Sequence, residues 1–235
     1  MDEYLKAWET EWVRLVDEMG SDDGSRSIRT TWIISLEHVR KKGPDGENAA
    51  KLLQLSSFFD NTKIQHSLFT GPNTTEWEPF SIDDLPSWFQ DIARTPLSLN
   101  KAIRMLSKYS LVEQSQAHKY FSVHPVVHEW SYYFSLDIHA DLCRTAAIVM
   151  AAGAVYHSDP SVIKNNFELL SHSKRLIQIL ENKSGGNRER NLYDPAMRKA
   201  LYLLGVIFRQ HTNRNWFAAS AQDDPVYSSL LNLMT

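Results

Sequence analysis

The feature that most constrains this chain is a change of period between residues 99 and 134. Leu99, Ile103 and Leu106 recur at helical spacing. Two short β-prone runs follow, at 110–114 and 120–123, separated by Ser115-Gln116-Ala117-His118-Lys119. Val127, Trp130 and Phe134 then resume a helical stripe. The paired runs predict a hairpin, and Pro125 falls where a first helical residue belongs, with His124 as the N-cap. A further short helix is predicted at 85–93, with Pro86 near its first turn. Helix, helix, hairpin, helix is the plan of a winged-helix domain, a variant of the helix-turn-helix.

The flanking segments read as helix. Tyr4, Leu5, Trp8, Trp12, Leu15, Val16 and Met19 form an amphipathic stripe that stops at the Gly-Ser-Asp-Asp-Gly run of 20–24. Ile28, Trp32, Leu36 and Val39 form a second stripe, with Arg40, Lys41 and Lys42 in the last turn, where cations suit the helix dipole. Gly43-Pro44-Asp45-Gly46 is read as a break. From 48 to 59 almost every face is apolar, which predicts a central helix. Residues 70–81 read as an irregular surface loop. After 134, Leu142, Ala146, Val149 and Met150 are expected to form one apolar face, and the small residues at 151–154 permit close packing. Helices are predicted at 162–180 and 195–210, with a linker at 182–187. Leu201, Leu204, Gly205 and Phe208 give L-x-x-L-G-x-x-F, the spacing of the first helix of a tetratricopeptide (TPR) unit, whereas Trp216 and Ala219 lie late for the second. The expectation is a mainly α fold: a helical segment at 1–45, a winged-helix domain with a short β-hairpin at 46–136, a helical adaptor at 137–182 and degenerate TPR-like helices at 190–235.

Composition narrows the function. The 235 residues are 43% hydrophobic, enough to bury a sizeable core, and carry a net charge of −3, which provides no general attraction to nucleic acid or anionic lipid. One cysteine, Cys143, rules out an intrachain disulfide and fits a reducing compartment. The N-terminus lacks the apolar core of a secretory signal, and the longest apolar stretch, 146–156, is too short for a bilayer span of roughly 20 residues. A cytoplasmic protein with no membrane partner is expected. No G-x-x-x-x-G-K-[ST], G-x-G-x-x-G, G-x-S-x-G or H-E-x-x-H run occurs, so no self-contained enzyme is expected.

Three constellations carry possible chemistry. Cys143 follows His139 by four residues, which could mimic a thiolate–imidazole pair but reads better as a packed cysteine beside a surface histidine. His124 and His128 have a spacing that can bind zinc, with His118 as a third ligand, although Pro125 puts His124 at the cap rather than on the helix body; no metal is expected. An imidazole at a helix N-cap is instead placed either to cap its own helix or to meet an anion such as a phosphate. Lys101, Arg104 and Lys108 fall along one face of the predicted recognition helix, which makes nucleic-acid binding the alternative function.

Several runs carry a family resemblance. Thr30-Thr31-Trp32-Ile33-Ile34-Ser35-Leu36-Glu37-His38-Val39 and the run from Ala49 through Phe58-Phe59-Asp60-Asn61 resemble the region after the nucleotide-binding domain of fungal STAND-class (NB-ARC/NACHT-like) signalling NTPases. The most specific part is Val123-His124-Pro125-Val126-Val127-His128-Glu129-Trp130, similar to that family's winged-helix end. The resemblance covers roughly residues 1–180. It implies a non-catalytic, NLR-like regulatory module that packs on an NTPase domain, in cis or in trans, and stabilises its ADP-bound off state. It also implies protein partners at C-terminal repeats. In the family a Met-His-Asp histidine touches the β-phosphate of ADP; His124 holds the matching position, with proline in place of the aspartate. ADP or ATP is implied for the parent architecture and no cofactor for the chain alone. The missing P-loop implies a regulatory fragment or a truncated paralogue.

Overall fold

A computed structural model describes residues 23–70, 80–115, 119–156, 163–182 and 195–215. The predicted helix at 4–19, the loop at 71–79, His118, the linker beyond Asn182, and Trp216 and Ala219 lie outside them.

Helix α1 (Asp23–Arg40) buries Leu36 and Val39 and half-buries Trp32. Helix α2 (Pro44–Ser56) begins earlier than its apolar run. The Gly43–Gly46 run separates α1 from α2 as expected, and it also forms the N-terminus of α2. Gly43 takes φ 83° at the N-cap, and Pro44 opens the first turn, where its missing N–H costs nothing. Gly46 is buried in that turn, and a Cβ there would overlap the Val39 carbonyl. The glycine is therefore what lets the start of α2 pass close to the end of α1. Helix α2 is central, as its composition predicts: it packs on α1 and on four later helices. It stops at Ser56, and Phe58 and Phe59 are wholly buried in the turn beyond.

Strand β1 (Ile64–Gln65) comes next, then the single-turn helix α3 (Ser67–Thr70). A short 3-10 turn at Ile82–Asp84, capped reciprocally by Ser81 and Asp84, leads into α4 (Ser87–Ala93). Helix α5 (Pro96–Lys108) is capped by Thr95, whose side chain accepts from Ser98 N, and turns Leu99, Ala102, Ile103 and Leu106 inward. Strands β2 (Glu113–Gln114) and β3 (Tyr120–Ser122) form the expected antiparallel hairpin. The sheet nevertheless has three strands, in the order β1-β3-β2, with Ile64 opposite Phe121 and Glu113 opposite Ser122. Bonds from Val123 N to Asn61 O (2.8 Å) and from His66 N to Lys119 O (2.9 Å) extend the β1–β3 pairing at both ends.

Helix α6 (Pro125–Phe134) starts at the expected proline. Its stripe buries Val127 and Trp130, but Phe134 is 37% exposed, stacked on Trp130 at 5.1 Å. Helix α7 (His139–Tyr156) departs from its expected single apolar face. Leu142, Cys143 and every residue from Thr145 to Ala152 are buried, because α7 is enclosed by α2, α3, α8 (Ile163–Asn182) and α9 (Pro195–Asn215). The small residues there do permit close packing: a Cβ on Gly153 would lie 2.5 Å from Leu68 Cδ2 of α3. Leu201, Leu204 and Gly205 of α9 are buried, and a Cβ on Gly205 would meet nothing within 4 Å among the described residues. The molecule is mainly helical with one small antiparallel sheet, and a continuous apolar cluster runs from Leu36 to Leu204. Among the described residues no helix is long and apolar enough to cross a membrane.

Candidate functional site

The start of α6 gathers the chemistry. His124 is exposed at the N-cap, and its Nδ1 accepts from Val126 N at 3.3 Å. Nδ1 thus acts as the acceptor, so in the neutral ring the proton resides on Nε2, which becomes an N–H donor. His124 therefore caps its own helix and presents a donor at the same time.

His128, one turn on, is buried and makes no pair with His124. Its Nε2 faces Ser56 O at 3.2 Å and Phe59 O at 3.0 Å, closing the C-terminal end of α2. His172 of α8 serves the same turn from the other side, its Nδ1 accepting from Asp60 N at 3.0 Å. Glu129 holds α8 as well, with Oε1 2.7 Å from Arg175 Nη2 and 3.6 Å from His128 Nδ1. Burial by itself would raise the Glu129 pKa; the His128 ring and the Arg175 charge outweigh it and hold the carboxyl below its ordinary value. The Arg175 guanidinium also lies over the Tyr132 ring at 5.5 Å, and burial pushes the Tyr132 hydroxyl above its usual range. Between the 59–61 turn, α6 and α8 lies an open crevice of about 350 Å³, with Pro125, Lys174 and Gln178 on its walls.

The other sequence candidates are placed as follows. Cys143 is buried, and His139, expected at the surface, is buried too: its Nε2 lies 2.8 Å from Tyr132 O and its ring is edge-on to Phe58. Among the described residues no group of three or more His, Cys, Asp or Glu side chains could hold a metal ion. Lys101, Arg104 and Lys108 are all exposed on α5, and Lys101 Nζ is 2.5 Å from Asp45 of α2. The sequence reading missed Asp60, Glu129, His172 and Arg175. Their partnership spans three elements far apart in the chain, and only the His128-Glu129 dipeptide beside the proline gave any signal.

The family model of a domain of unknown function, DUF7779, matches residues 45–132, from the first turn of α2 into the last turn of α6. The seam with α8 therefore joins the matched region to helices outside it. No curated protein and no solved structure matches the chain.

Proposed function

We propose that the chain is a non-catalytic regulatory module of a STAND-type signalling protein, which packs on an NTPase domain and helps to hold its ADP-bound off state. In this reading α2, β1, α4, α5 and the β2–β3 hairpin form a winged-helix domain at 46–136. Residues 137–182 act as a helical adaptor, and α9 begins a degenerate TPR-like region. The observation that carries the reading is His124. An exposed imidazole whose Nδ1 is committed to the helix cap offers Nε2–H outward, beside the positive end of α6. That is suitable chemistry for a phosphate oxygen held by another domain, as the family likeness of the 123–130 run implies. One histidine cannot replace a P-loop's many backbone donors, so the nucleotide belongs to the partner domain. The competing reading, a winged-helix nucleic-acid binder using Lys101, Arg104 and Lys108, has one of its three cations tied to Asp45.

Calorimetry tests the proposal. The chain alone is expected to show no ATP turnover and negligible ADP binding, and to bind an NTPase domain more tightly when that domain carries ADP than when it carries ATP. Equal affinity for the two nucleotide states, or turnover that copurifies with the chain alone, would contradict it.

A further inference from the structure

The crevice between α6 and α8 lies apart from the exposed His124 imidazole on which the off-state reading rests. Its volume, about 350 Å³, lies within the roughly 300–1,000 Å³ of ligand sites. Its polar groups are unevenly satisfied. Asp60 Oδ1 already accepts from Thr62 N at 2.9 Å and from Thr62 Oγ1 at 2.6 Å, and Glu129 Oε1 takes Arg175 Nη2 at 2.7 Å. One oxygen of each carboxylate on the wall is answered from within the protein, and the Asn61 amide donates to Val123 O at 3.2 Å. The two cations keep spare donors. Lys174 is exposed and has no carboxylate or hydrogen-bond partner among the described residues. Beside it in sequence, Arg175 uses Nη2, but its buried Nε has no acceptor among the described residues, so the guanidinium is under-coordinated. Gln178, one helical turn further along α8, adds an exposed amide. A crevice with one oxygen of each wall carboxylate already bonded, and with spare donors on Lys174 and Arg175, can take up an anion at its α8 side.

We propose that this crevice binds a small anion through a phosphate or carboxylate group, with Lys174 and Arg175 as the cationic contacts and Gln178 as an additional donor. The anionic oxygens sit toward α8, and the exposed Pro125 ring offers an apolar edge to the rest of the ligand. Because Arg175 also pairs with Glu129, an occupied crevice shares the guanidinium between ligand and carboxylate. Occupancy is thereby coupled to the contact between α6 and α8.

Nuclear magnetic resonance titration of the full chain with inorganic phosphate, and separately with acetate, distinguishes the outcomes. Sodium chloride at matched ionic strength is the reference. Saturable shifts confined to α8 and the start of α6 are expected for at least one anion, and the anion that saturates first identifies the ligand group. Lys174→Ala removes an exposed side chain and leaves the core intact; it is expected to weaken binding by about tenfold or more, the loss of one charge-assisted contact. Lys101→Ala, on α5, is expected to leave the binding unchanged. Shifts that follow ionic strength alone, or an affinity unaltered by Lys174→Ala in a chain with a native spectrum, would overturn the proposal.

Discussion

Removing the His124 ring takes one acceptor away from Val126 N while Pro125 continues to fix the backbone, so His124→Ala is expected to cost about 1 kcal/mol. Trp130 is 8% exposed and packs between Trp32 and Phe134, so Trp130→Ala is expected to cost ~3–5 kcal/mol by cavity formation. Urea denaturation of the two variants separates them, and equal losses would make His124 a purely structural residue. Two glycines provide a second contrast. Gly46→Ala drives a methyl into the Val39 carbonyl and is expected to destabilise by about 1–3 kcal/mol. Gly205→Ala, inside α9, meets no described atom within 4 Å and is expected to stabilise by roughly 1 kcal/mol through helix propensity. Thermal melts giving both substitutions the same sign would show that the approach of α2 to α1 is not what Gly46 permits.

Elements were legible where their signal is local. The stripe of α5, the apolar density of α2 and the Pro125 start of α6 follow from spacing and from proline chemistry; each is present, although α2 runs from 44 to 56 rather than from 48 to 59. Strand β1 was not legible, because two residues cannot display a period-two alternation; Ile64 and Gln65 are strand only because β3 offers them an edge. The enclosure of α7 was similarly hidden, since burial on every side depends on which helices arrive around it. The seam between α6 and α8 is likewise tertiary, and its pH behaviour makes that testable. The folded pKa of Glu129 lies below its unfolded value near 4.5, so its contribution is present above that value and is lost as pH falls through the folded pKa. Glu129→Gln leaves Arg175 without its charge partner and is expected to cost roughly 3 kcal/mol near neutral pH. The variant's stability should also decline less steeply in acid than that of the parent chain. Parallel acid profiles for the two proteins would remove Glu129 from the account of how α8 is held.

At the scale of the whole molecule, the two functional readings predict opposite responses to salt and to nucleotide. If Lys101, Arg104 and Lys108 touched phosphates of DNA, affinity would fall with a log–log salt slope of about −0.9 per contact. No measurable duplex binding is expected at low salt by fluorescence anisotropy, since the net charge is −3 and Asp45 already holds Lys101. Binding that weakens steeply with salt, with a slope that flattens when all three residues become alanine, would favour the nucleic-acid reading. The regulatory reading rests on a different surface, the exposed imidazole at the head of α6. Its most direct test is the dissociation rate of ADP from an assembly of this chain with an NTPase domain, comparing the parent sequence with His124→Ala. The predicted result is faster ADP release from the variant, with the chain still folded and still bound to the domain. An unchanged release rate in a folded, bound His124→Ala chain would contradict the account.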